Sequence, residues 1–519
     1  MHWTIADLIR RQAQDRGDQP ALTFEDRTVT YGDLHDRSNR VAQALMAEGV
    51  GPQERVAYID KNSVEFFEVL FGVAKMNAVN VAVNWRLSPL EMAHIVNDAG
   101  AKLLFVGAEF RDHLEAMREK LTSVKRVVVM GSAPAGAGEA YDDWLAPRDA
   151  TDPGVSAEPG DVALQLYTSG TTGLPKGAML TNANLGCEIS EIPPWWDVDA
   201  DSVTLICMPF FHIGGTAWAL VGLHCGAHGI VVRQFEPVQV LAELGKGRIT
   251  NAVLVPAMMQ ILIDLPESAG RDFSPLRTIC YGASPITEQT LAAALETFRC
   301  NFVQGYGLTE VTGTLTVLPP EEHDAHGTRS YLLRSAGRPL PWIELRIVDP
   351  DTGEDRPPGE MGEVWTRSAQ NMKGYWNMPE ETADVLTADG WFRTGDGGYL
   401  DQEGYLFLTD RIKDMIVTGG ENVAPAEVES VIARYPGVAD VAVIGVPHPK
   451  WGETVKAIVV TASETDIEAD DILAFARQRL ATFKCPTSVD FVTELPRNPS
   501  GKVLKRELRK LYANDASGR

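Results

Sequence analysis

Short apolar runs alternate with longer amphipathic stretches along the first 130 residues. Residues 21–24 and 28–30 predict a hairpin turning about Asp26. Thr30-Tyr31-Gly32-Asp33 then reads as a capping box, a hydroxyl and a carboxylate three positions apart, opening a helix that runs to about Gly49. Residues 56–59 predict a strand and 64–76 an apolar helix. Ser88-Pro89-Leu90-Glu91 repeats the cap with proline at the first helical position, and 103–106 and 127–130 predict short buried strands. Such alternation argues for a mainly parallel sheet with helices on both faces. Residues 132–160 are rich in Ala, Gly, Pro and Asp and read as a surface connection. Alternation resumes with a strand at 163–167, a Gly/Thr loop and a helix at 182–189, and continues to about Tyr306.

The pattern then changes. From 342 to 408 short strands are punctuated by Gly, Asp and Pro, which predicts a β-rich subdomain. After Asp410 a compact α+β unit follows, helical at 428–434 and 470–480 and extended at 441–444 and 456–460. The expected fold is α/β: a large N-terminal lobe of helix-covered, mainly parallel sheets plus the β-rich subdomain, residues 1–410, and a small α+β domain, residues 411–519. Between Ser202 and Val232 no charged residue occurs, long enough for a bilayer span. Pro209, three histidines and five glycines suit a lipid-facing helix poorly, so this stretch predicts a buried strand at 203–208, a loop, a core helix near 216–223 and a strand at 229–232. No integral membrane span is expected.

Composition narrows the function. The 519 residues carry a net charge of −24, which repels a phosphate backbone and argues against nucleic-acid partners. An anionic ligand has to be held by local donors against that field. The six cysteines are scattered with no CxxC, giving neither a disulfide framework nor a zinc ribbon. The first residues lack a secretory pattern and the last ones a peroxisomal or lipidation signal, so a cytoplasmic enzyme is expected.

The strongest chemical signal is Tyr167-Thr168-Ser169-Gly170-Thr171-Thr172-Gly173-Leu174-Pro175-Lys176-Gly177. Its glycines let backbone N–H groups turn toward a ligand, while the hydroxyls and one ammonium add donors, as a polyphosphate requires. It is not a Walker A sequence, and no GxGxxG follows a strand.

This loop resembles the signature of the adenylate-forming superfamily, which includes acyl- and aryl-CoA ligases, luciferases and peptide-synthetase adenylation domains. Further segments match in order: Tyr281-Gly282-Ala283-Ser284-Pro285, Gly305-Tyr306-Gly307-Leu308-Thr309-Glu310, Trp391-Phe392-Arg393-Thr394-Gly395-Asp396, Asp410-Arg411-Ile412-Lys413-Asp414 with Gly419-Gly420-Glu421-Asn422, and Pro496-Arg497-Asn498-Pro499-Ser500-Gly501-Lys502. The resemblance runs from about Thr28 to Lys510.

It implies ATP and coenzyme A as co-substrates and Mg²⁺ as the metal. Thr168, Ser169, Gly170, Thr171, Thr172, Gly173 and Lys176 would hold phosphates. Gly282, Ala283 and Ser284 would lie along the adenine, with Tyr306 stacked on it and Gln304, Gly305 and Gly307 beside it. Thr309 would bond a phosphate oxygen, and Glu310 with Thr168 would hold Mg²⁺ bridging the phosphates. Asp396 would accept both ribose hydroxyls, with Arg411 nearby. Gly397 stands where the family favours an aliphatic residue.

Lys502 is the candidate catalytic cation, since adenylation joins two anions and a positioned ammonium neutralises charge developing on the α-phosphate. The cluster Lys502, Lys505, Arg506, Arg509 and Lys510 also reads as a solvated helical face. Lys413 matches the family's hinge, about which the small, mobile domain would turn, replacing Lys502 at the site with Gly419 and Gly420 lining a pantetheine tunnel.

Pro209-Phe210-Phe211-His212-Ile213-Gly214-Gly215 matches the acyl-pocket segment, with His212 at the mouth as a candidate catalytic and substrate residue. A core histidine bonded to backbone is its other reading. Gly214, Gly215, Gly305 and Gly313, with Tyr281, would line the pocket, and that room argues against acetate. The expected activity is ATP-dependent acyl-CoA ligation of a medium- or long-chain fatty acid. The alternative is an adenylating ligase for an aryl or alicyclic acid with CoA, an amine or a carrier protein as acceptor. A homodimer is left open.

Overall fold

The computed structural model describes residues 3–131, 138–168, 175–268, 270–284, 286–325, 327–411, 414–418, 421–448, 451–462, 467–497 and 503–512. They group into two compact units, Met1–Glu344 with Arg367–Phe392, and Leu345–Thr366 with Arg393–Arg519.

The first unit is built on two mainly parallel sheets. One runs Gly374–Tyr375, Lys176–Thr181, Val162–Thr168, Val79–Ala82, Arg55–Ile59, Leu103–Gly107, Arg126–Met130, Glu139–Ala140, parallel except at its Gly374–Tyr375 and Lys176–Thr181 end. The other runs Arg338–Pro339, Gly313–Leu318, Asn301–Leu308, Thr278–Gly282, Asn251–Leu254, Val203–Ile206, His228–Val231, Pro20–Phe24, Arg27–Thr30, with antiparallel strands only at its two ends. The helix Val64–Lys75 is buried on nearly every face because it packs against strands of both sheets, Val79–Ala82 and Pro20–Phe24. Phe66 on it stacks on Phe210 at 4.6 Å.

The expected caps are present. Thr30 with Asp33 and Ser88 with Glu91 form reciprocal capping boxes, the second with Pro89 at the helix start. The charge-free stretch folds as the strand Val203–Ile206, the helix Ile213–Cys225 and the strand His228–Val231. That helix starts earlier than the pattern suggests, because His212 is extended (φ −111°, ψ 142°) and the turn begins immediately after it. Among the described residues no helix is long and apolar enough to cross a membrane.

One expectation is corrected. Part of the stretch read as a surface connection is core: Tyr141 and Trp144, on the helix Tyr141–Leu145, are buried against Phe105, and the Tyr141 hydroxyl donates to Glu68 at 2.9 Å. Its small and polar residues mask two aromatics that share one helical face. Residues 132–137 lie outside the described residues.

The second unit has a four-stranded sheet, Glu344–Val348, Gly362–Arg367, Phe392–Leu400, Leu406–Arg411. The expected boundary near Arg411 falls at the end of its last strand. A second sheet pairs Val438–His448 with Gly452–Thr461, carries Ser488–Phe491 in parallel, and continues antiparallel through Ile416–Thr418 to Glu421–Val423. Alternating residues of Val438–His448 serve two cores. Val443 faces Val428, Ile432 and Ile472, whereas Ala442 and Ile444 face Leu508.

In the first unit, charge fastens the carboxyl ends of the two sheets. Arg233 grips both oxygens of Asp60, at 2.5 and 3.2 Å, and also reaches Glu109 at 2.5 Å. Asn62 donates its backbone N–H to the Arg233 carbonyl and its amide to the carbonyls of Met208 and Val232. Burial pushes the Asp60 carboxyl up against the pull of Arg233. Arg233→Met should therefore cost about 3 kcal/mol in urea unfolding, the low end for stranding a buried charge, since the guanidinium is partly exposed. A loss below about 1 kcal/mol would contradict this clasp.

Candidate active site

Three of the motif segments leave the carboxyl ends of parallel strands in one sheet: residues 207–212 follow Val203–Ile206, Ala283 and Ser284 follow Thr278–Gly282, and Tyr306-Gly307-Leu308 ends Asn301–Leu308. Ligands of open α/β sheets bind at such ends. Two close backbone approaches shape this edge. Gly282 lies opposite Gly305, where a Cβ would run into the Gly305 carbonyl, and a Cβ at Gly307 would land on the Gly313 carbonyl. Ala283 takes a left-handed φ of 65°, turning the chain sharply after the strand.

The other sheet meets this edge through Thr168. Thr168 and Lys176 are register partners at the end of the antiparallel pair Val162–Thr168 and Lys176–Thr181. Ser169, Gly170, Thr171, Thr172 and Gly173 lie outside the described residues. The frame beside them is braced by polar contacts that no local spacing announces. The Tyr167 hydroxyl donates to Asp98 (2.5 Å), Gln165 donates to Tyr167 (3.0 Å), and Arg55 lies 3.4 Å over the ring of Trp376, whose N–H reaches the Asp98 carbonyl.

Thr309 and Glu310 form a single 3-10 turn, Thr309–Val311, between the strands Asn301–Leu308 and Gly313–Leu318. This turn brings Glu310 to the loop frame. Its Oε1 accepts from the Thr168 hydroxyl at 3.3 Å and from the Tyr375 hydroxyl at 2.9 Å, and its carbonyl accepts from the Met372 N–H at 2.8 Å. Lys176 Nζ sits 5.1 Å from the centre of the Tyr375 ring. Thr168 and Glu310, distant in sequence, are thus brought together. Tyr375 is a site residue that the motifs did not announce; a glycine and two aromatics at 374–376 are its only local signal.

These groups suit Mg²⁺. Both described hydrogen bonds to the Glu310 carboxylate fall on Oε1, and this carboxylate with the Thr168 hydroxyl offers the hard oxygen donors that magnesium takes. Among the described residues no three acidic, His or Cys side chains form a cage, so an ion here would take its remaining ligands from water and phosphate oxygens, as magnesium does.

The pocket candidates divide. Gly214 and Gly215 open the helix Ile213–Cys225; Gly215 tucks under the backbone of Met208 and Pro209, while a Cβ at Gly214 would meet open space. His212 precedes them, its ring 4.5 Å from that of Phe211. Tyr281 turns inward: it is buried and its hydroxyl meets His323 Nε2 at 3.0 Å, while His323 Nδ1 lies 2.9 Å from the Pro319 carbonyl. A carbonyl only accepts, so Nδ1 carries the proton and Nε2 accepts from Tyr281. The Gln304 amide faces the carbonyls of Ser335 and Ala336, at 3.3 and 3.2 Å. Gly313 (φ 138°) sits over the buried carboxyl of Glu188.

In the second unit Asp396 and Arg411 are register partners on adjacent antiparallel strands, and the Asp396 N–H donates to Thr394 Oγ1 at 3.0 Å. The Gly395 N–H donates to Glu363 (2.9 Å), which fixes the turn-like segment at one side. Lys413, Gly419, Gly420 and Lys502 lie outside the described residues.

Helix-covered parallel sheets with motif segments at their carboxyl ends are an architecture that binds ligands at that edge. Residues 9–376 match the AMP-binding enzyme family and 427–502 the AMP-binding enzyme C-terminal domain. The chain belongs to this family, within the adenylate-forming superfamily, and is an AMP-forming ligase. It is 41% identical to a fatty acid–[acyl-carrier-protein] ligase, ScoC, of Streptomyces coeruleorubidus, over 99% of this chain and 97% of that one. It is 39% identical to a feruloyl-CoA synthase of an Amycolatopsis species, over 93% and 94% of the two chains. Among solved structures, ATP-bound MatB from Rhodopseudomonas palustris superposes with a TM-score of 0.89 at 31% identity, covering 99% of this chain and 100% of that one.

Two outcomes are expected. Tyr375→Phe keeps the ring under Lys176 but removes a donor to Glu310, and should weaken binding of Mg²⁺ with a nucleotide about tenfold in calorimetry; a change below twofold would contradict the assignment. Burial pushes His323 down to about 4, which favours the neutral ring in the folded protein. Its contribution to stability should be lost as pH falls from about 6.5 toward 4, and a His323→Asn variant should lose less over that window in thermal unfolding.

Proposed function

We propose that this chain is an ATP-dependent acyl-CoA ligase acting on a medium- or long-chain fatty acid. The observation that carries the reading is the meeting of Thr168, Tyr375 and Glu310 beside Lys176, at the carboxyl ends of strands bearing the nucleotide-type segments. In the first half-reaction a carboxylate oxygen attacks the α-phosphorus of ATP. The bond to the β-phosphate breaks and pyrophosphate leaves. In the second, the sulfur of CoA attacks the acyl carbonyl, the bond to AMP breaks, and the thiol proton is lost.

Each residue takes a defined part. Residues 168–176 hold the phosphates, and Ala283 and Ser284 follow the adenine edge with Tyr306 on its face. Thr309 bonds a phosphate oxygen and Asp396 holds the ribose hydroxyls with Arg411. Mg²⁺, held by Glu310 and Thr168, would neutralise charge on the phosphates. Lys502 steers the carboxylate onto the α-phosphate and offsets the charge that develops there. His212 stands at the acyl mouth, and Gly214, Gly215, Gly305 and Gly313 leave room for the chain. We assign nucleotide and acyl binding to residues 1–410. The hinge at Lys413, the thiol channel at Gly419 and Gly420, and the catalytic lysine fall in residues 411–519. Use of ATP and CoA, with a scattered, unpaired set of cysteines, fits the cytoplasm.

A second reading concerns only the acceptor. The 41% identity to a carrier-protein ligase over almost the whole chain favours an acyl-carrier thiol in place of CoA. Both acceptors present the same pantetheine thiol, so the residues proposed for the first half-reaction serve either. Lys502→Ala should nearly abolish acid-dependent pyrophosphate release while sparing thioester formation from supplied acyl-adenylate. Gly420→Leu should do the reverse. Equal losses in both assays for either variant would remove the division of labour.

A further inference from the structure

The helix Asn182–Glu191 follows directly on the strand Lys176–Thr181, so its placement is tied to the phosphate-loop frame. Asn184 and Glu188 lie one turn apart on it, on one face. Asn184 Nδ2 donates to the carbonyls of Ala369 (2.7 Å) and Asn371 (2.9 Å). Glu188 is fully buried; its Oε1 accepts from the Thr314 N–H at 3.1 Å and its Oε2 from Gln370 Nε2 at 2.8 Å. Among the described residues no Lys or Arg is paired with it.

Gln370 carries these contacts to the turn that presents Glu310. Its amide nitrogen also lies 3.3 Å from the Val311 carbonyl and 3.2 Å from that of Thr314, its Oε1 accepts from Trp342, and its own carbonyl accepts from the Thr312 hydroxyl at 2.6 Å. Two residues later the Met372 N–H binds the Glu310 carbonyl. The segment 310–314 is therefore held from below by one polar network whose anchor is a carboxyl on the helix that also follows the phosphate loop. Burying a carboxyl without a cation is expensive, and a stretch whose only task was packing would be better served by an apolar residue.

We infer that Glu188 is a positioning residue: through Thr314 and Gln370 it fixes Glu310 against Thr168 and so sets the affinity for a metal–nucleotide complex. This rests on the reading of Thr168 and Glu310 as the metal and phosphate pair. Glu188→Gln is the discriminating change because it keeps shape. Burial pushes the Glu188 carboxyl up to about 8, and even when protonated its hydroxyl oxygen can accept a hydrogen bond. An amide nitrogen cannot. In either orientation glutamine sets an N–H against the Thr314 N–H or the Gln370 amide.

The test is titration calorimetry of the full-length protein with α,β-methylene-ATP, in Mg²⁺ and in EDTA. Glu188→Gln should weaken Mg²⁺-dependent nucleotide binding about tenfold while metal-free binding stays within twofold. Gln370→Met should reproduce that loss, and the double variant should be no weaker than the worse single one. Should Glu188→Gln fail to fold, the Gln370→Met comparison decides alone. Retained Mg²⁺-dependent binding, or parallel loss with and without metal, overturns the role of Glu188. Wild-type binding that gains nothing from Mg²⁺ overturns the underlying metal-site reading as well.

Discussion

A polyphosphate has to be held by a chain whose net charge is −24, so attraction from a distance is denied to it and donors must be delivered at contact range by the backbone. On the reading proposed here, the close approach of three segments in one sheet prepares the edge where those donors would gather. Gly282 abuts Gly305, and Gly307 abuts Gly313, at separations that admit no Cβ. A side chain at either place would push the Asn301–Leu308 strand away from its neighbours. Glu310, one turn beyond that strand, would move with it and lose contact with Thr168. The glycines at these two places thus set the spacing between strands.

Holding that edge together also requires the two sheets to keep their places, and polar contacts add direction to the apolar packing there. The Asp60–Arg233 clasp ties the carboxyl ends of the sheets. The Tyr167–Asp98 and Arg55–Trp376 contacts stiffen the loop frame, and Glu188 with Gln370 supports the opposing turn. Paired polar groups in a low-dielectric interior have few alternative geometries, which is what a site needing sub-ångström placement demands. Their cost is borne by an extensive core, including the helix Val64–Lys75 packed between the sheets.

Much of this was legible in sequence because local rules governed it. Capping boxes at Thr30 and Ser88, the strand and helix periods, and the Gly/Thr loop depend on residues a few positions apart. Thr168 and Glu310 could be named through resemblance, yet their meeting at 3.3 Å depends on the order of strands in two sheets, which no local pattern encodes. Tyr375, Asp98, Glu188 and Gln370 escaped for the same reason: each works through a partner dozens to hundreds of positions away. Tyr141 and Trp144 escaped because two aromatics were diluted in a stretch of small and polar residues. Tyr281 shows the converse, a motif residue whose hydroxyl the fold commits to His323.

The proposed reaction is adenylation of a fatty acid followed by transfer to CoA. Its most direct test incubates the purified protein with Mg²⁺, ATP and a panel of fatty, aryl and alicyclic acids, with and without CoA, and follows acyl-adenylate and thioester by mass spectrometry. The expected result is adenylate from medium- or long-chain fatty acids without CoA and its conversion to acyl-CoA when CoA is added. Adenylate that persists in the presence of CoA, or thioester formed only from aryl or alicyclic acids, would contradict it.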